Sequence, residues 1–302
     1  SNVAFELGGM VYNSLLPSFA KKEHIGSLSG KSWAFGYAGG IICLLIILFG
    51  FVQTDSPLFG IEKDLSANIR IAGPIVAVWF IFFSIPFLLK INNFSKDKNT
   101  QKENLFIEVI KNIKSLFSNS NKGRFLLSRM IYTDGLNTLF AFGGLYAAGT
   151  FNMSFSEIII FGILINITAG LGALFFSYIE DKVGPKYVIN LSLIFLIVIG
   201  GITLFLNSKE WFLVFGSALG FFIGSIQSSS RSFMSRYIVN GNNAETFGIY
   251  AVSGKCTAFL GPAILALIVT IFDSQRVGMA SIIAFFLIGL FLLQRVIEPK
   301  HY

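Results

Sequence analysis

Charge is what this chain has least of. Asp, Glu, Lys and Arg make up 13% of its 302 residues, about half the roughly 25% of a soluble globular domain. So few charged residues cannot cover a water-exposed surface, and a soluble domain is excluded. Histidine and cysteine are scarcer still, two of each. Cys43 and Cys256 lack metal-ligand spacing, and His24 and His301 stand in a loop and at a terminus. A disulfide framework and a metal site are therefore not expected. The sequence also lacks a nucleophile elbow and a phosphate-cradling glycine loop after a strand, so neither an enzyme nor a cofactor is expected. The apolar/polar alternation of a β-barrel is missing as well.

Apolar residues take the place of charge. They make up 54% of the sequence, with 34 phenylalanines. A bilayer core of about 30 Å needs about 20 apolar residues per helix. Segments of that kind lie at roughly 2–19, 33–52, 71–89, 125–149, 155–179, 187–206, 211–235, 247–272 and 277–294. Runs such as IICLLIILF are apolar on every side, as lipid-embedded helices are. The expected fold is all-α, a polytopic membrane helix bundle with nine spans. Position 1 is Ser and the first apolar segment starts at residue 2, which reads as a fragment.

A net charge of +7 could suggest nucleic acid, but the basic residues sit in short loops rather than on one face, so no nucleic-acid partner is expected. The charge reports topology instead. With the loop after Pro17 placed inside, seventeen of the 23 Lys and Arg fall in alternate, inner loops, as the positive-inside rule requires. Eight of them lie between Lys90 and Arg124, against Asp97, Glu103 and Glu108. This stretch is expected to be a cytoplasmic loop with a short surface helix around Leu105 to Phe117. It separates residues 1–90 from residues 125–302.

Several spans carry groups that are costly in lipid. An ionised side chain at the bilayer centre costs about 2.5–3.5 kcal/mol on insertion scales, so such residues are expected to face protein or a water-filled cavity. By contrast, segments 71–89, 187–206 and 277–294 carry no charge and are expected to face lipid. Asp134 and Lys255 lie at similar depth from the inner surface, which suggests an ion pair across helices, either at the centre of a translocation path or fixing helix register. Asn137 and Thr138 share the Asp134 face. Arg129 is a poor intrahelical partner for Asp134 and is expected to snorkel inward. In the first span Glu6, Gly9 and Asn13 share a face, and Glu6 is either a proton or substrate site or an acid near the outer surface. Gly220, Gly224, Gln227 and Arg231 form one stripe, ending in an arginine that either snorkels or serves a gate or substrate. Gly36, Gly39 and Gly40 are expected to let neighbouring helices approach closely. Gly261 and Pro262 interrupt the eighth span, as a kink or as a break exposing backbone groups.

The loop SYIEDKVGPKY, residues 177–187, resembles the intracellular motif G-x-x-x-D-R/K-x-G-R/K-R/K of the major facilitator superfamily at Asp181, Lys182, Gly184 and Lys186, with Ser177 and Pro185 departing from it. YNSLLP (residues 12–17), SWAFGYAGG (32–40), YTDGLNT (132–138), QSSSRS (227–232) and FGIYAVSGKCTAFLGP (247–262) together resemble the "unknown major facilitator" branch, which includes the fungal vacuolar amino-acid effluxer linked to autophagy. The resemblance implies twelve helices in two six-helix halves, of which this chain would hold nine. Residues 1–90 would be the last three helices of the N-terminal bundle, 91–124 the central loop and 125–302 the C-terminal bundle. It also implies a secondary transporter, a permease exporting a small solute such as an amino acid, with protons as a plausible coupling ion. Asp181 is expected to hold the inner gate with Lys182, Gly184 and Arg236, by pairing with the start of the span near Ser32 or with Arg236. An ordinary solvated turn is the plain alternative for this loop. The expected location is a bacterial inner (plasma) membrane. A membrane scaffold or sensor that kept the fold without transport is the competing reading, and the intramembrane Asp134 and Lys255 argue against it.

Overall fold

The structure is a computed structural model, describing residues 2–19, 21–61, 66–91, 120–238 and 243–298. No strand occurs among the described residues. A backbone in hydrocarbon has no water to bond to, so it satisfies its own N–H and C=O groups in helices. The main ones are α1 (Asn2–Ser14), α2 (Ile25–Ile47), α3 (Ala72–Ile91), α4 (Asn121–Phe151), α5 (Phe155–Val183), α6 (Pro185–Phe205), α7 (Lys209–Ser235), α8 (Asn243–Ser253), α9 (Leu260–Phe272) and α10 (Gln275–Gln294). Among the described residues, six helical stretches are long and apolar enough to cross a membrane. The other three expected spans fall short because they are interrupted or polar: α1 ends at Ser14, α8 and α9 are separate, and α4 carries Arg129, Asp134 and Asn137. The expected surface helix around Leu105 to Phe117 lies outside the described residues.

Local chemistry marks the helix ends. Ser120 caps α4 by accepting the Gly123 N–H at 3.1 Å. α5 starts with a full capping box, Ser154 with Glu157. Gly184, at φ +87°, turns the chain between α5 and α6, and Pro185 opens α6 where its missing N–H costs nothing. α2 starts at Ile25, eight residues before the apolar run suggests.

The chain divides into two compact units, residues 1–37 with 106–302, and residues 38–105. In the smaller one α2 ends in a π-turn, Leu48–Val52, and Asn68 Nδ2 donates to the Phe51 carbonyl at 3.1 Å. Here α3 exposes Val78, Phe80, Ile81, Phe82 and Phe83, as a lipid-facing helix does.

In the larger unit α5 packs on α7, α4 on α10, α6 on α7 and α10, and α1 on α8. The α5–α7 contact depends on glycine. A Cβ at Gly224 would land on the Ala169 carbonyl, one at Gly172 on the Phe221 carbonyl and one at Gly220 on Ile165 and Thr168. Backbones this close gain dispersion contacts that lipid cannot supply. By contrast, a Cβ at Gly36, Gly39 or Gly40 meets nothing within 4 Å, so the expected close approach there is absent among the described residues. Gly224→Val is thus expected to cost about 3 kcal/mol or more through overpacking, whereas Gly36→Ala should be neutral or stabilising. Fluorescence-detected size-exclusion of both variants checks this, and a monodisperse Gly224→Val peak at wild-type height contradicts it.

Lack of charge does not predict lipid exposure for α10. It buries Met279, Ile282, Phe286 and Leu293, and Gly289 lies against the Tyr132 backbone, where its carbonyl accepts the Ser128 hydroxyl at 2.7 Å. An apolar helix fits a protein interior as well as it fits lipid. α6 is intermediate, burying Val188, Ile189, Leu193 and Leu196 while exposing Ile194, Phe195 and Val198.

Candidate functional site

The glycine stripe of α7 continues into polar residues that leave α5 and meet α1 and α2. Gln227 Oε1 accepts the Tyr37 hydroxyl at 2.6 Å. One turn further on, Arg231 is 4% exposed, which rules out snorkelling. Its Nε donates to Ser29 Oγ at 3.0 Å, Nη2 to the Ser29 carbonyl at 2.7 Å and Nη1 to Asn13 Oδ1 at 3.2 Å. Ser29 Oγ in turn donates to the Ser228 carbonyl at 2.7 Å. The rings of Tyr12 and Trp33 lie 5.9 Å from the guanidinium carbon. One planar fork thus ties α7 to both α1 and α2, a geometry an ammonium cannot copy.

At the same end of the bundle the 177–187 motif makes two separate sets of contacts. Asp181 Oδ2 accepts the Ser27 N–H at 3.1 Å, at the positive end of α2. The expected helix-terminus contact is present, shifted because α2 begins earlier. Arg236 has another geometry: it lies 3.9 Å from Glu180 and 3.9 Å from Glu298. Consecutive helical residues point about 100° apart, so Glu180 and Asp181 take different hydrogen-bond partners, yet both carboxylates lie against Gly26 at the start of α2. Glu180 is fully buried, and it accepts the Ser229 hydroxyl at 2.6 Å and the Ser232 hydroxyl. Lys182 is exposed and makes no ion pair among the described residues. Beside Gly184 there is room for no side chain, because a Cβ would overlap the Glu298 carboxylate. Burial holds the Glu298 carboxyl above the usual range, while Arg236 and Lys186 pull it back.

The expected Asp134–Lys255 pair is not formed. Lys255 Nζ lies 3.0 Å from Glu6 Oε1, with both side chains more than a third exposed. Asp134 is 2% exposed and no side chain hydrogen-bonds its carboxylate among the described residues, although the Gly261 backbone N–H lies near it. The chain turns beside Lys255 instead of continuing as a helix. Pro262 has no N–H to give the Ala258 carbonyl, and the helix breaks just upstream, over Gly254 to Phe259, rather than at Gly261–Pro262. There the bonds shift to i−3, with Lys255 N–H on the Val252 carbonyl at 3.0 Å and Leu260 N–H on Thr257 at 2.7 Å. Gly254 faces Arg129 on α4 and the next side chain, Lys255, swings to α1. Asn137 Nδ2 reaches the Gly254 carbonyl at 3.5 Å, and Gly261 packs on Thr138 and the Asp134 backbone. Nor does Arg129 snorkel: it stacks 3.4 Å from the Tyr250 ring centroid and donates to the Tyr250 carbonyl at 2.6 Å and Ser253 Oγ at 2.7 Å.

The sequence-selected residues therefore fall into three groups: Asn13, Gln227 and Arg231; Asp181 and Arg236; and Asp134 and Asn137 opposite the broken helix, with Glu6 and Lys255 paired. Sequence reasoning passed over Ser29, Tyr37, Glu180, Tyr250 and Glu298. A signal for Glu180 existed: Ser229 and Ser232, three residues apart in an apolar helix, imply an acceptor opposite.

The family model for vacuole effluxer Atg22-like proteins matches residues 18–301. An uncharacterised MFS-type transporter of Bacillus subtilis, YxiO, is 21% identical over 99% of this chain and 69% of its own length. Autophagy-related protein 22 of Vanderwaltozyma polyspora is 26% identical over 89% of this chain, which spans only 59% of the fungal protein. Among solved structures, the major facilitator transporter FucP in its outward conformation superimposes with a TM-score of 0.69 at 10% identity, over 94% of this chain and 71% of FucP. A bacterial homologue of the iron transporter ferroportin, in an outward-facing state, gives 0.66 at 15% identity, over 94% and 66%. At such identity the superpositions establish the major facilitator fold, and with it an integral, multi-pass membrane protein. By the match over residues 18–301, the chain belongs to the vacuole effluxer Atg22-like family of MFS-type transporters.

Proposed function

We propose that this chain is the greater part of a secondary transporter that exports a small solute, an amino acid being the class the family resemblance implies, by alternating access. The observation that carries the proposal is Asp134, a buried carboxylate without a side-chain hydrogen-bond partner among the described residues, beside a helix broken at Gly254 to Phe259. A carboxylate held at this cost in a span is kept for a ligand, a proton or an ion that visits it. Asn137 supplies a further polar group there, and Glu6 with Lys255 offers an exchangeable ion pair. In this reading the Asp181 end is cytoplasmic and its contact with the start of α2 closes the inner gate, while Arg231 latches α7 to α1 and α2. Residues 1–90 then belong to the first bundle, 91–124 to the cytoplasmic loop and 125–302 to the second bundle. The Bacillus relative supports a bacterial plasma membrane as the location.

Asp134→Asn separates stability from activity. The neutral isostere removes the cost of an unpaired buried charge, so the unfolding free energy is expected to rise by about 1–3 kcal/mol, while flux of amino acids in proteoliposomes falls to background. Flux within twofold of wild type in this variant would remove Asp134 from the path. If wild-type protein moves no member of an amino-acid panel, the substrate class is wrong.

A further inference from the structure

Where α1 meets the broken span, an ion pair stands open. Glu6 is on α1 and Lys255 is in the unwound turn between α8 and α9, and their Oε1 and Nζ atoms are 3.0 Å apart. The two side chains are 38% and 54% exposed. Lys255 lies well inside its span, with the eleven residues of α8 before the turn and the thirteen of α9 after it. Ionised groups at that depth face water or protein rather than hydrocarbon, so the exposure of the pair marks a water-filled opening beside α1.

Packing brings the two charges together. Met10 Sδ lies 3.5 Å from the place a Cβ on Gly248 would take, so α1 and α8 close up at that glycine. Glu6 stands one helical turn from Met10, and Lys255 about two turns from Gly248, along faces that already touch. A Cβ at Gly9, on the Glu6 face of α1, meets nothing within 4 Å, which leaves room beside the pair.

Neither side chain takes a further hydrogen bond or ion pair among the described residues, so Glu6 Oε2 and the remaining Lys255 N–H donors stay open to a solute. Arg129 and Asp134 on α4 are instead buried, at 9% and 2% exposed. An ion pair as exposed as Glu6 and Lys255 adds little stability, less than carrying two charges into a span costs. Stability does not account for it.

We infer that Glu6 and Lys255 are the recognition pair for a zwitterion, a solute with an ammonium and a carboxylate on neighbouring atoms, as in an α-amino acid. The inference rests on the transport reading and names the groups that select its solute. The solute carboxylate accepts from Lys255 and its ammonium donates to Glu6, so four charges alternate and each keeps an opposite neighbour. An amine or a carboxylate alone engages one member of the pair and deprives the other of its partner, a difference by which polar sites discriminate strongly.

Equilibrium dialysis of the 302-residue chain in phosphatidylcholine nanodiscs tests this, with radiolabelled alanine and phenylalanine as a small and a bulky probe. At least one of them should bind saturably. The analogues that lack one charge should compete at least about tenfold less well: propionate and ethylamine against alanine, 3-phenylpropionate and 2-phenylethylamine against phenylalanine. Each member of the pair should govern one end of this selectivity. In Glu6→Gln the amino acid should lose its advantage over the carboxylate analogue, and in Lys255→Met its advantage over the amine. A pair that only joins α1 to α8 would leave the ranking of analogues unchanged in both variants, and that result overturns the proposal. Equal competition by the singly charged analogues in wild type, which needs no variant, overturns it as well. If either amino acid is nevertheless carried into proteoliposomes, the failure is confined to the pair. Neither binding nor flux of either probe removes the amino-acid class from the transport reading together with the pair.

Discussion

Arg231→Met is expected to abolish solute flux, by a factor of at least about one hundred, in protein that still folds. The side chain makes three hydrogen bonds that join α7 to Ser29 on α2 and Asn13 on α1, all in a buried setting. Breaking a buried charged contact costs about 3–5 kcal/mol, and if that loss falls on one conformation it shifts the equilibrium by about two to three and a half powers of ten. In the proposed cycle the affected conformation is the one closed at the Asp181 end. A cysteine placed at Ser32, with Cys43 and Cys256 replaced, should therefore react faster with a maleimide in the Arg231→Met background. Lysine at 231 should rescue less than a tenth of the flux, since an ammonium cannot reach the Ser29 carbonyl, the Ser29 hydroxyl and Asn13 in one plane. Flux within twofold of wild type, with unchanged labelling, would reduce Arg231 to a packing residue.

Glu180→Ala should produce the largest loss of stability of any single change at the Asp181 end. Its carboxylate is fully buried, accepts the Ser229 and Ser232 hydroxyls and lies 3.9 Å from Arg236. Alanine leaves two hydroxyls without that acceptor and removes one carboxylate from beside a buried guanidinium that also lies 3.9 Å from Glu298. The expected cost is about 3–5 kcal/mol, read from the denaturant midpoint of the chain in mild detergent. Removing the guanidinium as well, in Glu180→Ala with Arg236→Met, should recover at least half of the loss, because an absent pair is less costly than a broken one. A double variant no more stable than the single one would show that Arg236 is satisfied without Glu180.

How much of this was legible beforehand follows the range of each interaction. The spans were readable because a bilayer imposes a local rule, about 20 apolar residues per crossing, and each apolar run overlaps a helix. Their ends were less so: α2 starts at Ile25 because Asp181, 154 residues away, accepts the Ser27 N–H. The polar residues were found as a set, since a charge in hydrocarbon is conspicuous in any sequence. Their pairing was misjudged at Asp134 and Lys255. Depth along a helix is set by residue number, whereas azimuth is lost once Pro262 breaks the helix that carries Lys255.

The sequence by itself determined the class of molecule: charge scarcity excludes a soluble domain, apolar runs set the helices, and the motifs carry the family resemblance. Tertiary structure alone decided that Arg231 reaches Ser29 and Asn13, that Arg236 stands between Glu180 and Glu298, and that charge-free α10 is buried against α4. The first set rests on transfer free energies, which are properties of each residue in turn and add along the chain. The second rests on directional contacts between helices, whose geometry exists only after packing has set the rotation of each helix about its axis.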